Sequence, residues 1–190
     1  QANELSRARR LRLLTVLNEY LPPDVRARIE VTGYDAATLP RYRQACYDRI
    51  LLDVPCSSER HVITDAKYLA CWTPARIKML TQRQWALLSA AFLLLKPGGF
   101  LLYATCALTD AENDGGVQKL LKKYGNEAIV RNSAHAINGA GMASILGEKT
   151  VFGCRFLPDT CGGAGPLYFS LIEKMNQEKE YHDNGTNRPY

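Results

Sequence analysis

Two cysteines, one of them beside a carboxylate, are the residues of this chain best suited to chemistry. Cys56 follows Asp53-Val54-Pro55, and Cys106 follows Tyr103-Ala104-Thr105. Each comes directly after a short apolar run bounded by turn-forming residues, which is typical of a strand buried on both faces of a parallel sheet. Ligands bind beyond the carboxyl ends of strands in open α/β sheets. The pattern therefore predicts a site for nucleophilic chemistry, with a thiolate as the attacking group.

The ordinary alternative for any single cysteine is a buried side chain that packs as a small hydrophobe. Asp53 has a similar alternative, because aspartate is common at helix caps and in turns. Two cysteines at equivalent strand ends, with Asp53 and Pro55 around one of them, favour the chemical interpretation over packing.

The composition predicts one globular domain with a substantial core, since the chain has 190 residues of which 46% are hydrophobic. The longest apolar run, 85–95, is too short and too interrupted to span a membrane. The amino end does not resemble a signal peptide, because no apolar core follows a basic start.

The net charge indicates which class of partner the protein could bind, and the cysteine spacing indicates in which compartment it resides. The net charge of +5 is compatible with a nucleic-acid partner. The arginines that cluster in the first 43 residues have two open interpretations, a solvated helix face or a phosphate-facing surface. The six cysteines include no C-x-x-C pair, so no zinc site is predicted, and a reducing intracellular compartment fits better than a disulfide framework.

Strands and helices are predicted to alternate along the chain. The expected helices are 6–20, 76–95 and 110–124, and the expected strands are 28–32, 48–54, 100–104 and 166–172. This order predicts a doubly wound, mostly parallel, Rossmann-like α/β sheet in a domain of residues 1–173. Residues 57–73 are expected to be a loop with one helical turn at most, 132–150 a loop, and 174–190 a polar tail.

The amino end is expected to begin inside this fold. Sheets of this type carry a glycine-rich turn after their first strand, and neither the strand nor the turn is found in this sequence. Ala2-Asn3-Glu4, followed by a helix, instead resembles the end of a second strand. The acidic residue at that position accepts hydrogen bonds from ribose hydroxyls in nucleotide-binding sheets.

Several segments, taken in order, match one family. They are residues 2–7, 32–36, 53–58 (compare the signature D-A-P-C-S-G), 95–99, 103–108, 112–113, 155–158 and 165–169. The chain thus resembles the NOL/NOP/Sun (Fmu-like) RNA 5-methylcytosine methyltransferases. Val54, the continuation 57–61 and the Gly-Pro-Leu-Tyr-Phe segment are most similar to the mitochondrial ribosomal-RNA member.

The resemblance implies a cofactor and a role for each site residue. The cofactor would be S-adenosylmethionine, with Glu4 on its ribose, Asp35 on its adenine and Asp53 close by. Cys106 would attack C6 of cytosine, and Cys56 would assist the release of the methylated base. Asp53 would also contact N3 and N4 of the base. Attack at C6 makes C5 nucleophilic, which explains why this chemistry needs a thiolate.

The implied partner is RNA, with ribosomal RNA ahead of transfer RNA, together with a protein partner in ribosome assembly. The target base must leave its stack, so a loop or single strand is expected. Arg60 and His61 could face phosphates there. Trp72 and Trp85 could stack on bases, although Trp85 falls within an apolar helix and fits the core better. The implied location is intracellular, with the mitochondrion ahead of the nucleolus and cytoplasm.

Two other function classes stay open. The first is a catalytically silent ribosome assembly factor that keeps the methyltransferase fold and binds ribosomal RNA or a protein. The missing glycine-rich turn favours it, whereas the intact Asp53, Cys56 and Cys106 oppose it. The second is a DNA cytosine methyltransferase, which fits less well because those enzymes carry their nucleophile in the P-C motif and lack the T-C motif.

Overall fold

The computed structural model describes residues 1–131 and 147–176, so most of the predicted loop 132–150 and of the predicted tail 174–190 lies outside the described residues. The strands are β1 Ala2–Asn3, β2 Val31–Thr32, β3 Tyr47–Asp53, β4 Leu95–Thr105, β5 Ala128–Arg131, β6 Glu148–Lys149, β7 Cys154–Phe156 and β8 Leu167–Lys174. The α-helices are α1 Arg7–Tyr20, α2 Pro23–Arg26, α3 Glu59–Thr64, α4 Pro74–Leu94 and α5 Asp114–Tyr124. Short 3-10 helices cover Ala36–Arg41, Ala66–Cys71 and Gly125–Glu127.

The main sheet is open and mixed, in the order β3-β4-β8-β7-β6, with β5 also paired to β8. Strands β3 and β4 are parallel, whereas β8 runs antiparallel to β4, β5 and β7. Strands β1 and β2 form a separate parallel pair. The predicted open α/β architecture is confirmed. The antiparallel pairings around β8 are a feature that the alternation of elements did not specify.

Helix α4 supplies the largest helical contribution to the core. The Thr73 hydroxyl accepts the backbone N–H of Arg76, and Pro74 occupies the first helical turn, so the sequence starts the helix efficiently. Leu88 and Phe92 are 1% and 0% exposed and pack with residues of β4 and β8. The helix passes at Leu95 directly into β4. This junction lies at the amino end of β4, so α4 joins the sheet at the edge opposite the cysteines.

Helix α5 begins four residues later than predicted. Thr109 and Glu112 do contact each other, with Thr109 Oγ1 donating to Glu112 Oε2 at 2.9 Å, but residues 110–113 form turns and not a first helical turn. The helix starts late because the side chain of Asn113 is hydrogen-bonded to residues at the carboxyl end of β4. Asn113 Nδ2 donates to the carbonyl of Ala107, and its Oδ1 accepts the Thr105 hydroxyl.

The segment predicted as a loop at 57–73 contains α3 and a 3-10 helix, joined at Asp65, whose carboxylate accepts the backbone N–H of Lys67. No helix among the described residues is both long and apolar enough to cross a membrane.

Candidate active site

The two cysteines meet at the carboxyl ends of β3 and β4. Asp53 is paired in register with Ala104, so the segments that leave these strands run side by side. The Cα atoms of Cys56 and Cys106 are 6.3 Å apart, and their sulfurs are joined as a disulfide. The sequence predicted two unbridged thiols here. A thiolate is the reactive form of cysteine, so nucleophilic chemistry requires the reduced pair.

Ser58 lies against both sulfurs. Its Oγ atom is 3.8 Å from the sulfur of Cys56 and 3.8 Å from that of Cys106. The residue has φ 57° and ψ 50°, a left-handed conformation in which glycine is the least strained residue. Glycine is the residue that the D-A-P-C-S-G signature has at this position. The chain therefore accepts a strained backbone where it places a hydroxyl beside the sulfurs.

Two buried carboxylates hold the loop that carries Cys56. Glu112 is fully buried and accepts the backbone N–H of Ser57 at 2.9 Å and Gln84 Nε2 at 2.8 Å, and it also contacts the Ser57 hydroxyl. Gln84 Nε2 also donates to the carbonyl of Pro55 at 3.0 Å. Glu59 accepts the Ser57 hydroxyl at 2.5 Å. These contacts fix the loop from the α4 side and from the β4–α5 connection.

Sequence reasoning missed the roles of Glu59 and Gln84. For Glu112, the sequence predicted a capping box with Thr109 and half of a matching Glu-Asn pair, but not its contacts with Ser57 and Gln84. The only local indication of a role was that polar residues occur within an apolar helix, in the case of Gln84, or within a predicted loop, in the case of Glu59. Gln84 and Glu112 contact each other across 28 residues of sequence, and Glu59 contacts Trp72 across 13, so no local pattern reports these contacts.

Asp53 and Glu4 both offer free carboxylate oxygens. Asp53 is exposed at the end of β3, and within the described part of the chain its carboxylate has no hydrogen-bond or ion-pair partner. Glu4 follows β1, and its Oε1 accepts the backbone N–H of Ser6 at 2.7 Å and pairs with Arg9 at 3.1 Å. In the ranges 1–131 and 147–176, nothing contacts its Oε2, which is left for another donor. Both positions can therefore accept hydrogen bonds from ligand hydroxyl or amino groups.

Asp35 lies after β2 and is held by Arg83 of α4. The guanidinium donates to both carboxylate oxygens, at 2.6 and 3.2 Å, and the backbone N–H of Ala37 donates at 3.1 Å. The hydrogen bond from Arg83 lowers the pKa of Asp35 below its ordinary value. A ligand amino group at Asp35 would therefore share an oxygen that already accepts a hydrogen bond.

A cavity of about 220 Å³ opens beside the cysteine loop. Ser58, His61, Tyr68, Trp72 and Arg76 contribute to its wall. We call this cavity the Trp72 pocket.

The other candidate residues lie elsewhere. Arg60 is exposed, and Trp85 packs against the core with Lys119 and Lys123 over its ring, as the core interpretation of Trp85 predicts. In the described ranges, no three His, Cys, Asp or Glu residues form a group that could hold a metal ion.

Known proteins place this geometry in a family. Residues 2–171 match the model of the 16S rRNA methyltransferase RsmB/F family. Bovine (Bos taurus) 5-cytosine rRNA methyltransferase NSUN4 is 32% identical over 183 residues, which are 92% of this chain and 47% of the relative. Ribosomal RNA small subunit methyltransferase F of Shewanella oneidensis is 34% identical over 114 residues, or 60% of this chain and 24% of the relative.

Solved structures agree on the fold. NSun6 from Pyrococcus horikoshii superposes with a TM-score of 0.71 at 23% identity, over 92% of this chain and 41% of that one. The chain spans about half the length of the NSUN4 proteins that it matches. These findings confirm the resemblance predicted from the motifs: the chain belongs to the RsmB/F family of 16S rRNA methyltransferases.

Proposed function

We propose that the protein is an S-adenosylmethionine-dependent ribosomal-RNA (cytosine-5)-methyltransferase that acts through a covalent cysteine adduct. The observation that carries the proposal is the meeting of Cys56 and Cys106 at the adjacent ends of β3 and β4, where the Asp53 carboxylate has no partner among the described residues. The names of the relatives supply the substrate class, since they are described as 5-cytosine rRNA and small-subunit ribosomal-RNA methyltransferases.

In the proposed reaction, the reduced Cys106 thiolate forms a bond to C6 of the cytosine. The electron pair of the C5–C6 double bond then becomes available at C5. When bound, S-adenosylmethionine would donate its sulfonium methyl group to C5 and leave as S-adenosylhomocysteine. A base removes the C5 proton, the bond between sulfur and C6 breaks, and the thiolate is restored. Cys56 assists this last step, because it lies beside the attacking sulfur.

The carboxylates have separate proposed roles. Asp53 contacts N3 and N4 of the cytosine and stabilises the protonated ring when C6 is attacked. Glu4 accepts hydrogen bonds from the cofactor's ribose, for which its unpaired Oε2 fits. Asp35 contacts the adenine from the end of β2, with Arg83 orienting it. Support for the cofactor itself comes from the structural neighbour NSun6, which was solved with the S-adenosylmethionine analogue SFG.

Trapping with 5-fluorocytosine RNA tests the mechanism. Fluorine at C5 blocks the release step, so full-length reduced protein with cofactor should give an RNA–protein adduct that survives denaturation. Cys106→Ala should give none, and Cys56→Ala should retain it. An adduct that depends on Cys56 and not on Cys106 would reverse the assignment. RNA binding without any adduct would instead favour the assembly-factor alternative.

Substrate and location extend the same proposal. Ribosomal RNA is the proposed substrate, and methylation of transfer RNA in preference to ribosomal RNA would contradict it. A protein partner in ribosome assembly and a mitochondrial location remain predictions from the resemblance. Affinity capture of the full-length protein from isolated mitochondria, with sequencing of the bound RNA, tests both.

A further inference from the structure

We propose that the Trp72 pocket binds the nucleobase next to the target cytosine in single-stranded RNA, with that base stacked on the Trp72 indole. This inference rests on the proposed function and deepens it, because it assigns a second nucleotide position to the site.

The position of the pocket indicates that it binds a base next to the target cytosine and not the target cytosine itself. Ser58 lies in its wall, and Ser58 Oγ is 3.8 Å from each sulfur. Among the described residues, neither cysteine nor Asp53 lines the pocket itself. A base in the pocket is therefore separated from the reacting sulfur by the width of one side chain, which suits the adjacent nucleotide. The volume of about 220 Å³ accommodates one base and no large ligand.

The indole of Trp72 is held in place from behind. Trp72 Nε1 donates to Glu59 Oε1 at 3.0 Å, and the same oxygen accepts the Ser57 hydroxyl. Glu59 is only 4% exposed, whereas Trp72 is 37% exposed. Glu59 thus fixes the ring orientation through the ring's single N–H donor, while more than a third of the residue stays exposed. A rigid exposed aromatic face is what a nucleobase stacks on, whatever its sequence identity.

The residues around Trp72 suit a nucleic acid better than an uncharged ligand. Tyr68 is 40% exposed, its ring lies 5.3 Å from that of His61, and Lys67 Nζ lies 5.0 Å from its centroid. Arg76 is exposed, and in the part of the chain that the structure describes its guanidinium makes no hydrogen bond or ion pair. Aromatic faces interleaved with cations are the combination that binds single strands, through stacking and phosphate contacts.

The second tryptophan provides an internal contrast. Trp85 is packed against the core, with Lys119 Nζ and Lys123 Nζ at 4.5 and 5.4 Å from its ring centroid. The two lysines cover the Trp85 ring, so this ring is not a surface on which a base can stack. Of the two tryptophans in the sequence, only Trp72 is therefore assigned to RNA.

Photocrosslinking in the trapped adduct tests the placement. Full-length protein is first trapped on RNA that carries 5-fluorocytosine at the target and 5-iodouridine at one neighbouring nucleotide, then irradiated and digested with trypsin. The crosslink is expected in the peptide 68–76, which contains Tyr68 and Trp72, for a label on one side of the target. Formation of the adduct with crosslinks only in other peptides, for labels on both sides, would overturn the inference and leave the proposed function intact. Absence of the adduct would reject the proposed function and this inference with it.

A cycle of substitutions tests the stacking energetically. Trp72→Ala should raise the Kd for RNA about ten-fold, which lies within the range for one stacked base, and raise KM with little change in kcat. Trp72→Phe should retain most of the affinity. Tyr42→Ala, an exposed aromatic residue outside the pocket, is the matched control and should leave Kd unchanged.

The second change in this double-mutant cycle is made in the RNA, where the base of the neighbouring nucleotide is removed. An abasic site there should weaken binding to the unsubstituted protein about ten-fold and should add nothing in Trp72→Ala, because the two changes remove one contact. Independent, additive losses would contradict the inference.

Discussion

Helices α1 and α4 show two very different degrees of burial. No residue of α1 is buried, and Leu11 is 56% exposed, although Leu11, Leu14 and Leu17 recur at helical spacing in the sequence. In α4, eight residues are buried, with Leu88 and Phe92 at its centre. The strands differ likewise, because β1 and β2 pair over two residues each, whereas β4 and β8 pair over six.

Because of this difference, we expect the two sides of the candidate site to differ in local stability. The cysteines follow β3 and β4, and they are held by the buried strand β4 and by the loop that Glu112 braces. Strand β3 itself has no buried residue, so the predicted burial on both faces is wrong for this strand. The proposed ribose and adenine contacts, Glu4 and Asp35, follow the short pair β1 and β2. Local opening should therefore begin at the cofactor side and leave the cysteine side intact. The four predictions below test this division, from the largest expected effect to the smallest.

The largest contrast is between two identical substitutions. Leu88→Ala in α4 should lower the free energy of unfolding by about 3–5 kcal/mol, because it leaves a cavity in the core. Leu11→Ala in α1 should change it by no more than about 0.5 kcal/mol, since the side chain is already exposed. Urea denaturation measures both. Similar costs for the two variants would show that the α1 face is covered in solution.

A second contrast concerns two glutamates. Glu112→Ala should destabilise by about 3 kcal/mol, because it leaves Gln84 and the backbone N–H of Ser57 buried without their acceptor. Glu4→Ala should cost about 1 kcal/mol or less, as its ion pair with Arg9 is partly exposed. Denaturation midpoints again provide the measurement. A cost below about 1 kcal/mol for Glu112→Ala would mean that water replaces its contacts.

Backbone strain gives a smaller effect of opposite sign. Ser58→Gly should stabilise the protein by about 1 kcal/mol, since glycine adopts the left-handed conformation without the clash of a Cβ atom. Ala45, at φ 47°, is the matched control, and Ala45→Gly should give a similar gain away from the sulfurs. If only Ala45→Gly stabilises, then the Ser58 hydroxyl itself contributes about as much as the strain costs.

The smallest effect is a pH dependence at the Asp35–Arg83 pair. Because Arg83 lowers the pKa of Asp35 in the folded state, the pair stabilises the protein above the ordinary pKa of about 3.8, and this contribution is lost as the pH falls through the lowered value. Its size should be under about 1 kcal/mol, since both side chains are about one-third exposed. The difference in the free energy of unfolding between Arg83→Gln and the unsubstituted protein should be larger at pH 7 than at pH 2. An equal difference at both values would exclude the ion pair as its cause.

The sequence was most informative where local patterns decide structure. The apolar runs before Cys56 and Cys106 predicted β3, β4 and the meeting of the two cysteines. The sequence Lys96-Pro97-Gly98-Gly99 is itself typical of a turn, and the expected strand 100–104 began after it. Helix α4 followed from its apolar periodicity and from Pro74. In contrast, β4 begins at Leu95 and runs through that turn signal, because pairing with Tyr47 extends it there.

Contacts between distant segments account for what the sequence could not show. The late start of α5 depends on Asn113 reaching Thr105 and Ala107, and the burial of Glu59 depends on Trp72 packing over it. The uncovered face of α1 is the clearest example, since helical periodicity reports which side is apolar but not whether anything packs against it. The catalytic roles of Cys106, Cys56 and Asp53 likewise remain predictions, because geometry brings groups together without measuring their reactivity.

The place of β8 in the sheet has a consequence for synthesis on the ribosome. β8 lies between β4 on one side and β5 and β7 on the other, yet about 60 residues are translated between the end of β4 and its first residue. At about 5–20 residues per second, the edge of β4 waits roughly 3–12 s for its partner. During that time the nascent chain exposes an unpaired, apolar strand edge of the kind that aggregates. Slow translation between residues 105 and 167 would lengthen this interval, so the yield of soluble protein should respond to codon choice in that stretch.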